Sequence, residues 1–252
     1  MDGSSIFGLI SLIFFKDFSR NPLISKSKHL IDARILDARS QTRAMDMFSL
    51  GCVLFFCMTS GKHPFGDTPP ERDTNVINNK MNLSLLEHIP EAGDLCSQLL
   101  NHDPKLRPNA SEVLSHPLFW DSETRMSFLK DASDWVEPKR KIPGSIVCLT
   151  LETEGCVAFR TRWDVGMEPK FISRMEHRLK PYCYDKVLCL LRIIRNTMNH
   201  YDELDDDIKN SLGSKPEGLD DYFRTKFPKL LIKVYNVMYK LCKNEEWFRK
   251  YL

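Results

Sequence analysis

Between Asp46 and Thr59 the chain reads DMFSLGCVLFFCMT, apolar nearly all the way round a helix. Such a helix has little face to offer water, so it must be packed on several sides, at the centre of a domain. Gly61 stands where a helix stop is needed, and Pro64, with no amide hydrogen to continue the ladder, confirms it. The feature commits the chain to helix-on-helix packing, and candidate neighbours follow. Ile89 to Leu100 places Ala92, Leu95, Cys96, Leu99 and Leu100 on one side of an amphipathic helix. DPKLRPNASEVLSHPLF gives a turn, a short helix beginning near Asn109 and a stop before Pro117. Trp120 to Trp135 carries another helical pattern through Met126, Phe128 and Leu129.

Residues 137–165 read as an irregular connector, punctuated by Pro138, Pro143, Gly144 and Gly155, with Gly166 just beyond. Within it, Ile146 to Leu151 is predicted to form a strand or simply to pack. Three more helices are predicted near 168–177, 184–200 and 228–243. In the middle one, Val187, Leu191, Ile194 and Met198 share a face, and Asp185 suits the first turn, where negative charge is favoured. Pro228 suits the first position of the last, whose Leu231, Val234, Met238 and Leu241 form a buried stripe. The 252 residues are thus predicted to be mainly α, in two modest domains that each bury a core.

The net charge of +2 carries no basic excess of the kind that advertises nucleic acid, so any RNA contact must come from local groups. Lys139-Arg140-Lys141, Arg160 and Arg162 are candidates, though basic loop residues are more often solvated. Eight cysteines without a CxxC pair fit a reducing compartment. The apolar run Ile6 to Phe15 falls short of the ~20 residues a membrane helix needs, so it reads as a buried strand or short helix and the chain as cytosolic. DELDDD (202–207) reads as a solvated acidic turn rather than a metal site, and Trp163 and Trp247 read as packing residues.

DMFSLG (46–51), HPF (63–65), DPKLRP (103–108) and HPLF (116–119) occur in that order, and the set resembles the late motifs of a protein-kinase C-lobe. In that family the Asp of the first motif caps the central helix, and the Arg of the third pairs with a Glu ending the activation segment; here these are Asp46 and Arg107. Phosphoryl transfer also needs a glycine-rich phosphate cover, a phosphate-binding Lys, a catalytic Asp and a metal-holding Asp. No GxGxxG, HRD or DFG occurs, and no APE-type Glu precedes Thr42. Residues 42–119 are therefore expected to be a kinase remnant without kinase activity, binding no ATP or magnesium, with Asp46 and Arg107 structural. Residues 1–41 remain unassigned.

FWDSETRMSFLKDASDWVE, RWDVGMEPKFI, LLRIIRNTMNHYDEL and PEGLDDYFRTKFPKLLIKVYNVMYKLCKNEEWF, spread over residues 120–252, resemble the all-helical kinase-extension-nuclease domain. That domain follows the kinase in the inositol-requiring kinase/endoribonuclease family of the unfolded-protein response and in ribonuclease L. Residues 139–160 depart from the family. The resemblance implies a truncated relative that cleaves RNA stem-loops without a metal or other cofactor: a ribose 2′-hydroxyl attacks its own phosphate, leaving a 2′,3′-cyclic phosphate and a 5′-hydroxyl. It also implies that cleavage requires paired nuclease domains, as a homodimer or with a full-length relative, and that full-length members place these domains on the cytosolic face of the endoplasmic reticulum. The alternative is a non-catalytic partner that modulates such a relative.

Carried over position by position, the family's site is Tyr182, Arg195, Asn196 and His200. An imidazole titrates near pH ~6.5 and suits proton donation to the departing 5′ oxygen. A guanidinium presents a fixed charge and a planar fork to phosphate oxygens. Asn196 either donates to the same phosphate or orients the ribose. Tyr182 either removes the 2′ proton, which a phenol of pKa ~10 does only if a neighbouring cation lowers it, or positions the hydroxyl. On a continuing helix Asn196 and His200 lie on the side away from the Val187–Met198 stripe, and Tyr182 must fold back to meet them. Each group also has an ordinary use: a His near a helix C-terminus complements its dipole, an Arg-Asn pair faces solvent, and a Tyr before a helix packs.

Overall fold

The computed structural model describes residues 43–159, 161–176 and 182–252. The run Ile6–Phe15 lies outside these, as do Arg160 and the rest of 1–42 and 177–181. Helices and turns account for the described residues, with no strand among them. The chain divides into two units, the first ending at Phe119 and the second beginning at Trp120.

The first unit contains α1 (Arg43–Met58), α2 (Pro69–Ile77), α3 (Pro90–Leu99) and α4 (Ala110–Leu114). α1 lays Leu50, Leu54 and Phe55 against Ala92, Leu95, Cys96 and Leu99. A Cβ on Gly51 would stand 2.9 Å from Leu99 Cβ, so the close approach of α1 and α3 requires glycine there. A second cluster sets Met45, Phe48 and Cys52 against Phe65 and Leu100, so α1 is packed on more than one side, and Phe56 near its end is 42% exposed. The two His-Pro motifs act as local struts. His63 Nδ1 accepts the Phe65 amide at 3.2 Å, and His116 Nδ1 accepts that of Leu118 at 3.2 Å. α4 begins at a reciprocal cap: the Asn109 side chain accepts from Ser111 and Glu112, and the Glu112 carboxylate accepts from Asn109 at 2.9 Å.

The second unit contains α5 (Ser122–Val136), α6 (Ile146–Gly155), α7 (Pro169–Glu176), α8 (Val187–His200), α9 (Asp206–Leu212), α10 (Glu217–Lys226) and α11 (Leu230–Cys242). α8 packs on α5 and α6, and α11 packs on the same two helices. Phe128 of α5 meets Tyr251 edge-on at 5.0 Å, inside a cluster with Trp120, Tyr235, Trp247 and Phe248. Arg125 Nε pairs with Asp220 at 3.1 Å, tying α5 to α10 through a buried charge pair whose carboxylate also accepts from Ser122 Oγ at 3.0 Å.

Several local expectations change. Ile146–Leu151 is the start of a helix, not a strand, and the connector is largely helical, from the 3-10 turn Pro138–Lys141 through α6 to the turn Cys156–Ala158. α8 begins at Val187, so Asp185 precedes it, and α11 begins at Leu230, so Pro228 precedes its N-cap Lys229. α9 and α10 occupy a region read without helices. The predicted single stripe on α8 is only part of what is covered: every residue from Val187 to Ile194 is buried, so α8 is the enclosed central helix of its unit. Covered on all sides, its first half shows little of the polar face that periodicity detects.

Candidate active site

α8 enters the unit without a side-chain cap of its own, since Lys186 supplies none. Glu152 of α6 takes that place: its carboxylate accepts from the amides of Val187 at 2.9 Å and Leu188 at 3.2 Å. A carboxylate on the first amides of a helix satisfies exposed donors and complements the dipole together. α6 comes so close because it ends in glycine; a Cβ on Gly155 would lie 2.9 Å from both Val187 methyl carbons. The start of α8 is therefore fixed by α6.

Trp163 fixes the segment leading into α8. Fully buried, it donates its backbone N–H to Tyr184 O at 2.9 Å and its indole N–H to Cys183 O at 3.2 Å. Its ring meets Tyr182 edge-on at 5.8 Å. Tyr182 thereby folds back onto α8, with the Arg192 guanidinium 4.3 Å from its ring centre.

Three of the four carried-over residues are joined. Asn196 Nδ2 donates to Tyr182 Oη at 3.0 Å, and Asn196 Oδ1 accepts from Arg195 Nε at 3.3 Å and Nη2 at 3.2 Å. The other side of the Arg195 guanidinium faces Asp134 at 3.5 Å and Glu137 at 3.8 Å, distances of ion pairing rather than hydrogen bonding. Asn196 is buried, so the Arg195-Asn196 pair is not simply a solvated face. Burial holds the Tyr182 phenol above its ordinary range; the Asn196 hydrogen bond and the Arg192 and Arg195 charges pull downward and do not win. His200 is not hydrogen-bonded to the other three. It stands one helical turn beyond Asn196, half-exposed, with Nδ1 2.9 Å from Glu203 Oε1. A phenol held protonated, a guanidinium fixed by an amide and an exposed imidazole can together bind a phosphodiester and move one proton at its rim.

The weaker candidates have local partners. Lys139 lies 3.3 Å from the centre of the Trp135 ring, Arg140 pairs with Glu137 at 3.2 Å, and Arg162 grips Asp164 at 2.9 and 2.7 Å. Arg160 is outside the described residues. The acidic run 202–207 is more than a solvated turn: Glu203 holds His200, Asp207 meets Lys170 at 2.8 Å and Asp205 meets Arg174 at 3.7 Å. Among the described residues no group of three or more His, Cys, Asp or Glu is arranged to hold a metal. In the first unit Asp46 lies exposed in the first turn of α1. Arg107 donates to Ala44 O and Asn101 O at 2.8 Å each and stacks on Phe48, tying the loop after α3 to the start of α1.

The sequence model of the Ribonuclease 2-5A family matches residues 125–252, the segment that carries all four groups. The chain belongs to the Ribonuclease 2-5A family. The protein kinase domain model matches residues 27–119. Serine/threonine-protein kinase/endoribonuclease IRE1a of Arabidopsis thaliana is 53% identical over 211 residues, covering 84% of this chain and 25% of that relative. The inactive serine/threonine-protein kinase/endoribonuclease IRE1-like of the same plant is 41% identical over 222 residues, 82% of this chain and 39% of the relative. The sensor for unfolded proteins in the ER of Schizosaccharomyces pombe is 31% identical over 218 residues, 85% and 20%. The chain thus spans about a quarter of the length of the first of these. Within the family's segment, sequence reasoning missed Glu203, Glu152, Arg192 and the Asp134–Glu137 pair. Glu203 was detectable from its spacing three residues after His200; the others meet the site through space.

Proposed function

We propose that residues 120–252 form an endoribonuclease of the unfolded-protein-response type that cleaves RNA stem-loops without a metal. The observation that carries this reading is the Asn196 bridge, which sets the Tyr182 hydroxyl and the Arg195 guanidinium on one amide, a helical turn from His200. In the proposed reaction the ribose 2′ oxygen attacks the adjacent phosphorus and the bond to the 5′ oxygen breaks. Arg195 leaves its carboxylate neighbours to hold the non-bridging oxygens as charge gathers on them. His200 gives its proton to the leaving 5′ oxygen. Tyr182, kept protonated by burial, positions the 2′-hydroxyl, whose proton passes to water; it is not the base. The products are a 2′,3′-cyclic phosphate and a 5′-hydroxyl. Unpaired loop nucleotides are the natural targets, since their bases are open to contact. The kinase-like segment is a scaffold that transfers no phosphate and holds no nucleotide, and the active form is a pair, of two such chains or of one with a full-length relative at the cytosolic face of the endoplasmic reticulum.

A second reading, a non-catalytic partner of a full-length relative, is favoured by the 41% identity to a relative named as inactive. One experiment separates them. The purified chain is incubated with a stem-loop RNA in chelator while its association is followed by sedimentation. Cyclic-phosphate ends that His200→Ala does not produce support the nuclease. No cleavage at any concentration, with tight binding to a full-length relative, supports the partner.

A further inference from the structure

We propose that Glu203 is a positioning residue: it accepts the Nδ1–H hydrogen bond of His200 and leaves Nε2 as the nitrogen that serves the RNA. The inference rests on the nuclease reading of His200. Its first observation is the 2.9 Å contact between His200 Nδ1 and Glu203 Oε1. Its second is the anchoring of the 3-10 turn Tyr201–Glu203 that presents this carboxylate. Each of the turn's residues is tied to a distant part of the unit. Tyr201 Oη donates to Gly213 O at 2.5 Å, Lys209 Nζ to Asp202 O at 3.0 Å, and Arg174 Nη2 to Glu203 O at 3.0 Å. Buried Leu204 closes the turn, its amide donating to Tyr201 O at 3.1 Å. An exposed His-Glu pair on a free surface is a loose contact. Here the carboxylate comes from a backbone held at three points, so the imidazole is oriented against a fixed reference.

The chemical consequence is the choice of tautomer. A neutral imidazole in water carries its proton mostly on Nε2. A carboxylate at Nδ1 selects the other form, in which Nε2 bears the lone pair, takes a proton from solvent and delivers it to the leaving oxygen. Without Glu203 the ring rotates freely and places either nitrogen toward the phosphate.

The test reads the ring directly. The full chain is labelled with 15N-histidine, and long-range proton–nitrogen spectra are recorded at a pH where the ring is neutral. His200, one of seven histidines, is assigned by the signal missing from His200→Gln. The expected result is an Nδ1–H ring in the wild type and in Glu203→Gln, whose amide oxygen still accepts, and a shift toward Nε2–H in Glu203→Ala. With stem-loop RNA, Glu203→Ala lowers kcat by about fivefold, the scale of an exposed pair, with KM little changed, and Glu203→Gln recovers part of the loss. An Nε2–H ring in the wild type, or no difference on Glu203→Ala, overturns the proposal. If the wild-type chain cleaves no RNA, the nuclease reading fails while the spectra still decide whether Glu203 sets the tautomer.

Discussion

Replacing Tyr182 by Phe removes a single oxygen and tests how the site is assembled. The ring keeps its edge contact with Trp163 and its place beside Arg192, so no cavity opens. What changes is at Asn196, only 5% exposed, whose Nδ2 loses its acceptor at 3.0 Å. Stranding a buried donor costs about 1–3 kcal/mol. In Asn196→Ala that donor is already gone, so adding Tyr182→Phe is expected to cost little more. The coupling from a double-mutant cycle in urea should then be at least ~1 kcal/mol. Single effects that add to within about 0.5 kcal/mol would show that the bond does not organise the site. Tyr182 also makes a pH prediction. Its folded-state pKa is raised, so the stability it contributes is complete below the unfolded value of ~10 and is lost as pH rises through the higher folded value. Tyr182→Phe should abolish that part of the alkaline loss. Because the phenol stays protonated, the ratio of wild-type to Tyr182→Phe cleavage rates is expected to be flat between about pH 6 and 9. A ratio that climbs with pH would make Tyr182 the base after all.

Glu152→Ala strips both amides at the head of α8 of their acceptor and should cost about 1–2 kcal/mol in a urea titration, with RNA cleavage falling as the helix start loosens. Gly155→Ala drives a methyl against Val187 and should destabilise by about 1–3 kcal/mol, whereas Gly144→Ala, which meets no atom within 4 Å, should show only the strain of its positive φ. Buried Cys52 and Cys96 have their thiols pushed up to about 12 and should resist an aromatic disulfide reagent near pH 8, while exposed Cys156 and Cys183 react, as mass spectrometry of the labelled chain would show.

The legible parts of this chain are those whose information is local. The cap at Asn109 declares itself by a Glu three residues on, and the buried stripe of α8 by spacings of three and four. The four grouped residues came from resemblance, and their spacing brings only Arg195, Asn196 and His200 together; that Tyr182 bonds to Asn196 depends on Trp163. The least patterned stretch, residues 137–165, turns out to set the site. It contributes Glu137 beside Arg195, Glu152 on the head of α8, Gly155 against Val187 and Trp163 under Tyr182. Each acts once, through space, and single contacts leave no period to read. Gly155 is the instructive case: in sequence it looks like a breaker, yet it is a helix terminus whose missing side chain lets α6 reach α8. Lys186 supplies no side-chain cap at the head of α8, and the capping carboxylate arrives from the helix that Gly155 lets in. One glycine and one glutamate in this stretch thus fix the head of the helix that carries Arg195, Asn196 and His200. Changes in this connector should therefore alter cleavage even where all four grouped residues are kept.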